Sequence, residues 1–184
     1  MQETTILENE QETTKELLKL GWLAGLIDGE GSVILQLVKN NTTKTKFTYH
    51  PRVSIYNNDA NLISEVCKLL DKYGIKYFVQ ERASRDPRNN NAELETTNYN
   101  VSIGDAKSVK LLLELTVETL QTIKRAKAEL CIRFLNIRLN RTEYFKHNRE
   151  EIDVINKFLS LVGSSTTVRE TDNGSIELIL EETV

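Results

Sequence analysis

The chain is poor in the residues that staple small domains or hold metals. It has two cysteines and two histidines among 184 residues. Cys67 and Cys131 each sit inside an apolar, helix-like pattern, so they read as reduced core residues and exclude a disulfide framework. His50 and His147 are too few and too isolated for a zinc centre. No apolar run reaches the length of a membrane span, and no charged-then-apolar leader is present. The expected location is therefore intracellular, with no membrane partner. Basic residues are not in excess either: 24 Lys and Arg stand against 27 Asp and Glu, a net charge of −3.

The charge is unevenly placed, however. Residues 31–92 carry 10 basic and 5 acidic side chains, whereas residues 1–30 carry 2 and 7 and residues 142–184 carry 4 and 9. A basic middle between acidic ends is compatible with a nucleic-acid surface in the middle. The length suits one domain, or one domain with an appendage.

Residues 1–12 are polar and acidic without a clear period, and read as a flexible N-terminal arm or a poorly held helix. Thr13 and Glu16 form a capping-box pattern ahead of an apolar period that predicts a helix to about Asp28. After Gly31 the period becomes two: Val33, Leu35 and Leu37 alternate with Ser32, Ile34, Gln36 and Val38, which predicts a strand. Residues 39–46 form a basic hairpin tip. A second strand follows, with Val53 and Ile55 inward and Arg52, Ser54 and Tyr56 outward. Asn57-Asn58-Asp59 ends it and caps a helix over about 60–73. A third strand, 75–82, has Ile75, Tyr77 and Val79 inward and Lys76, Gln80 and Arg82 outward. Ser84 to Asn98 is a long polar loop, a length that usually signals function. The fourth strand sets Val101 and Ile103 against Asn98, Asn100 and Ser102. Helices follow over about 106–115, 122–139 and 149–162, and a hairpin turns at 172–174.

The expected fold class is thus α+β: a four-stranded antiparallel, saddle-like sheet with helices on one face, ordered α-β-β-α-β-β-α. The domain reading is an arm (1–12), a core (13–140) and a C-terminal extension of helix and short β-hairpin (141–184). The uncovered sheet face is rich in Gln, Asn and Arg, the side chains that read base edges, and its loops carry lysines suited to phosphates. The candidate DNA-contacting residues are Gln36, Lys39, Asn40, Lys44, Lys46, Arg52, Ser54, Tyr56, Lys76, Gln80, Arg82, Arg85, Arg88, Asn98 and Asn100.

The stretch Leu23-Ala24-Gly25-Leu26-Ile27-Asp28-Gly29-Glu30-Gly31 organises the rest. Its helix is apolar on two stripes, which requires two packing partners. Gly21 and Gly25, four apart and beside Ala24, permit another backbone to come close. Asp28 and Glu30 stand at a helix C-terminus, where the dipole opposes them and a divalent cation would compensate.

These nine residues resemble the signature of the LAGLIDADG homing endonuclease family. Residues 23–28 and Gly31 match its letters, while Gly29 replaces the usual Ala and Glu30 the usual Asp. A single copy is present; the segment 158–163 lacks a terminal acid. The resemblance implies a homodimer joined through Gly21, Ala24, Gly25 and Asp28, and cleavage of both strands of a long, partly palindromic DNA target. It implies Mg²⁺ as cofactor, with Mn²⁺ able to substitute and Ca²⁺ binding without supporting cleavage. Glu30 becomes the metal-bridging catalytic carboxylate, with the Gly29 carbonyl beside it. A polar residue after the second strand, Asn57 or Asn58, would stand near the attacking water. Lys124 would stabilise the transition state, with Arg125 and Lys127 as competitors. The family's further basic residue after the second strand has no counterpart in Asp59-Ala60-Asn61. The same family includes intron RNA maturases, and its scaffold also suits a non-catalytic DNA-binding regulator; the acidic C-terminus speaks against the first and the retained acids against the second. The expected compartment is cytoplasm and nucleoid, or an organelle.

Overall fold

The computed structural model describes residues 2–39, 47–85, 95–141, 149–171 and 176–180. The chain opens with a 29-residue helix, α1 (Gln2–Glu30). Residues 2–12 therefore continue the helix expected to begin at Thr13. They contain neither Gly nor Pro and are rich in Glu and Gln, so nothing in them stops it. Glu16 does not close a capping box. It accepts from the Tyr73 hydroxyl at 2.6 Å and pairs with Lys72 at 2.8 Å, fastening α1 to the second helix.

Strands β1 (Gly31–Lys39) and β2 (Phe47–Asn57) form an antiparallel ribbon with Val33 opposite Val53 and Gln36 opposite His50. Helix α2 (Ala60–Lys72) is capped by Asp59, whose carboxylate accepts from the amides of Asn61 and Leu62 at 2.8 and 3.2 Å. Strands β3 (Phe78–Arg85) and β4 (Glu95–Ile103) make a second ribbon, and β4 joins β2, giving the order β1-β2-β4-β3. Asp105 caps α3 (Ala106–Thr116) and Thr122 caps α4 (Ile123–Asn140). A last helix, α5 (Arg149–Leu161), and the hairpin β5 (Thr166–Glu170) with β6 (Ile176–Leu180) follow. The expected turn at 172–174 lies outside the described residues.

The core lies between sheet and helices. Val33, Val53, Ile55, Val101 and Ile103 face inward and are fully covered by Val66 and Leu70 of α2, Leu112 of α3, and Cys131, Phe134 and Leu135 of α4. Burial pushes the Cys131 thiol up to about 12. Three expectations need correction. The third strand starts at Phe78, so Lys76 lies in the connection before it, its amide donating to the Ser108 hydroxyl at 3.0 Å. The loop expected over 84–98 is shorter, because β3 and β4 pair as far as Arg85 and Glu95. Leu37, expected inward, is exposed at the end of β1.

Only one stripe of α1 is buried in this chain. Leu23, Ala24 and Ile27 face the core, while Leu17, Leu18 and Trp22 are 64, 68 and 42% exposed. The second partner that two apolar stripes require is not supplied by the chain's own described residues.

Candidate nucleic-acid interface and acidic centre

Helix α1 passes into β1 with no intervening residue. Gly31 permits this: a Cβ there would stand 2.7 Å from the Ile27 carbonyl oxygen and 2.8 Å from the Ile27 Cα. The two acids beside this junction have different surroundings. Asp28 accepts from the Gln121 amide at 2.7 Å and from the Thr122 hydroxyl at 2.6 Å, so it anchors the start of α4. Burial pushes its carboxyl up, but the Gln121 amide, the Thr122 hydroxyl and amide and the Lys124 ammonium outweigh it and hold it below the usual carboxylate range. Lys124 Nζ donates to the carbonyls of Ile27 at 2.9 Å and Asp28 at 2.7 Å. It thereby neutralises the negative helix end and satisfies two orphan carbonyls. Glu30 is exposed, and no hydrogen bond or ion pair holds its carboxylate among the described residues.

The end of α1 thus carries the exposed Glu30 carboxylate and holds the Lys124 ammonium on two of its carbonyls. Among the described residues no cluster of three His, Cys, Asp or Glu side chains could hold a metal. The donors present, a Glu carboxylate and backbone carbonyls, are hard oxygens. They suit Mg²⁺, which takes one or two protein carboxylates and completes its shell with water and phosphate.

Asn57, the last residue of β2, turns its Oδ1 to the Asp59 amide at 2.9 Å, whereas the Asn58 side chain is exposed. Gly31 stands opposite Ile55, so both asparagines lie at the same end of the β1–β2 ribbon as Glu30. Arg125, a competitor of Lys124, pairs with Glu118 and Glu129 at 2.9 and 3.2 Å.

The outer face of the sheet contains no acid at any outward register position, from Ser32 to Val38, Thr48 to Tyr56, Phe78 to Ser84 and Thr96 to Ser102. Tyr56, Asn100 and Gln80 form one row across three strands, and Asn98 and Arg82 the next. Arg52 extends over Gly104, close enough that a Cβ there would stand 3.8 Å from its Nε. The Oε1 of Gln36 and the Oδ1 of Asn100 are buried without a hydrogen-bond partner. Three expectations change. Ser54 belongs to this face by register but is only 3% exposed, enclosed between Ser32 and Ser102. Lys39 is exposed at the end of β1 but has the register of the inner face. Ala24 is fully buried in its own chain and cannot meet a partner helix. Gly21, Gly25 and Gly29 remain open, with nothing of this chain within 4 Å of an added Cβ. Asn40, Lys44, Lys46 and Arg88 lie outside the described residues, and Arg85 closes β3 opposite Glu95.

His50 and Phe78 had escaped the sequence reading of this face, and Ile34, read as outward, was not named as a contact. His50 stands opposite Gln36; partial burial first, then the charges of Arg138 and Arg52, hold its imidazole below its ordinary value. Ile34 and Phe78 add apolar contact surface, Phe78 being 66% exposed. Continuing the alternation of Val53 and Ile55 backwards through Pro51 would have found His50.

Comparison with known proteins agrees with this geometry. A family model described as a LAGLIDADG-like domain matches residues 18–116, more than half of the chain. An uncharacterised protein of Methanocaldococcus jannaschii is 41% identical over 64 residues, covering 35% of this chain and only 22% of that protein. The fold is similar to that of the homing endonuclease I-CvuI bound to its target with calcium, at 18% identity and TM-score 0.56, covering 82% of this chain and 81% of that one. It is also similar to the archaeal intron-encoded homing endonuclease I-Vdi141I bound to DNA, at 18% identity and TM-score 0.55, covering 80% and 82%.

Proposed function

The chain belongs to the LAGLIDADG-like family, and from that premise we propose that it is a metal-dependent, site-specific double-strand DNA endonuclease acting as a homodimer. The observation that carries the reading is the end of α1. There Glu30 is exposed and the Lys124 ammonium is fixed by two main-chain carbonyls of the same helix end, where α1 runs into the acid-free sheet face. The DNA complexes of the two structural relatives support the same substrate class.

The outer face lies in the major groove of a half-site. Arg52, Arg82, Gln80 and Asn100 contact base edges there, and Lys39 contacts phosphate. The exposed stripe of Gly21, Gly25, Leu18 and Trp22 packs against the same stripe of a second copy, giving a symmetric interface. That arrangement brings one Glu30 per strand to the dyad. Glu30 and the Gly29 carbonyl would hold Mg²⁺, which would supply an activated water and a counter-charge for the leaving oxygen. Mn²⁺ would substitute for it, and Ca²⁺ would bind without supporting cleavage. Lys124 places positive charge where the phosphoryl group becomes more negative, and Asp28 keeps α4, and so Lys124, in place. Asn58, free of the Asx turn that occupies Asn57, orients the attacking water.

The test is a cleavage selection on a randomised duplex library, with Mg²⁺ or Ca²⁺. The expected result is one long, partly palindromic site cut in both strands with Mg²⁺ and bound uncut with Ca²⁺. Glu30→Gln should lose at least about a hundredfold in rate while binding that site within a few fold. Enrichment of a site that no metal allows to be cut would overturn the catalytic assignment.

A further inference from the structure

The C-terminal module, α5 with β5–β6, reaches the sheet through one residue of α4. The β1–β2 ribbon runs past β4, since β4 pairs with β2 only from Val53 to Asn57. From Phe47 to Arg52 the far side of β2 is thus an open edge, and a two-stranded ribbon alone is marginally stable in water. Pro51 has the register of Tyr49, so it presents its nitrogen to that edge, where a missing N–H breaks no ladder bond.

Arg138 of α4 supplies the missing partner. Its Nη1 donates to the Tyr49 carbonyl, and its Nη2 donates to the Thr48 hydroxyl at 2.6 Å. The guanidinium lies over the Phe134 ring, 5.4 Å from its centre. Behind it stands Glu151 of α5, fully buried, 3.9 Å from Arg138 Nε and 2.9 Å from Arg141 Nη1. A buried carboxylate is tolerated only where cations and donors compensate it; here Arg141 bonds it directly and Arg138 adds its charge at 3.9 Å. Asn156, further along α5, bonds both the amide and the carbonyl of Val168, joining β5 to the helix. A continuous set of contacts therefore runs from the C-terminal hairpin through Glu151 and Arg138 to the residue preceding His50. Arg138 is near enough to His50 for its charge to depress the imidazole, after partial burial has done so.

Resting on the reading of the outer face as the DNA-contacting surface, we propose that Arg138, held by Glu151, is a positioning residue for the protruding part of the β1–β2 ribbon. The C-terminal module thereby governs discrimination at those base pairs of each half-site that Gln36 and His50 reach. Gln80 and Asn100 sit on β3 and β4, outside the β1–β2 ribbon, and do not depend on this brace.

The experiment is a position-by-position specificity profile of the full chain, by selection on a duplex library in Ca²⁺ and by cleavage in Mg²⁺. Arg138→Met and Thr48→Val are compared with the wild type; Thr48→Val removes one half-buried hydroxyl and keeps the fold if Arg138→Met does not. Discrimination is expected to fall about tenfold at the positions that a His50→Ala profile identifies, and to stay within about twofold elsewhere. The cleavage rate of the best site is expected to stay within about twofold. An unchanged profile in Thr48→Val, or a loss spread evenly over all positions, overturns the proposal. A wild type that enriches no site overturns the DNA-contacting reading itself, and this proposal with it.

Discussion

Replacing Gly21 and Gly25 together by alanine should move chain stability and self-association in opposite directions. Both residues lie inside α1, where Gly is less favourable than Ala by about 1 kcal/mol each. An added Cβ at either position meets nothing of this chain within 4 Å. The isolated chain should therefore gain about 1–2 kcal/mol, equivalent to roughly 2–8 °C in Tm for a domain of this size. The same methyls fall on the stripe that we assign to the partner helix, between the exposed Leu18 and Trp22. Forcing a methyl into a close-packed seam costs about 1–3 kcal/mol, which is roughly a fivefold to hundredfold rise in the dimer Kd. The assay is a melt over a wide range of protein concentration, paired with sedimentation. At low concentration the double variant should melt above the wild type. Its Tm should also rise less with concentration, because association contributes less to its stability. A variant that melts lower when dilute, or that associates as tightly as the wild type, would refute the placement of these glycines at the seam.

Gly31→Ala should destabilise the chain by about 1–3 kcal/mol, measured by urea unfolding, because its Cβ would collide with the Ile27 backbone and not with a movable side chain. Asp28→Asn should lower stability by about 1–3 kcal/mol at neutral pH, through weaker acceptance from Gln121 and Thr122. Asp28 has a lowered folded-state pKa, so its contribution is present above the ordinary carboxylate range and lost as pH falls through the lowered value. The gap between wild type and Asp28→Asn should accordingly close below about pH 4 in a pH series of melts; a gap that persists in acid would point to a different role. Arg52→Ala should relax preference at one target position in a binding profile. Lys39→Ala should instead weaken binding evenly and reduce the salt slope by about 1; identical effects from both would refute the division between base and phosphate contacts.

The element order and the inner face were legible because Val33, Val53, Ile55, Val101 and Ile103 alternate cleanly with polar residues. The length of the β3–β4 ribbon was not: from Arg82 to Arg85 and from Glu95 to Asn98 neither face is apolar, so no period of two is visible. Pro51 hid the first half of β2, and with it His50, because proline ordinarily ends a strand unless its nitrogen faces an open edge. Spacing alone grouped Ala24 with Gly21 and Gly25, although the core takes Ala24 and leaves both glycines outside. The partner of Asp28 was also invisible, since Gln121 is 93 positions away and only tertiary packing brings it near. Glu30 was singled out by its place at the helix end as well as by the family resemblance, and Lys124 by the resemblance alone; the structure adds the two carbonyls that hold the lysine.

The passage from α1 into β1 at Gly31 works as a rigid elbow. With no joint between helix and sheet, a change in how two such helices cross has nowhere to be absorbed, and each sheet must swing with its helix as a lever swings with its shaft. In the dimer proposed above, the angle at the seam would set how far apart, and in what rotational phase, the two reading surfaces meet the double helix. Substitutions at that seam should alter the number of base pairs tolerated between the two halves of the target, while the letters read within each half stay the same.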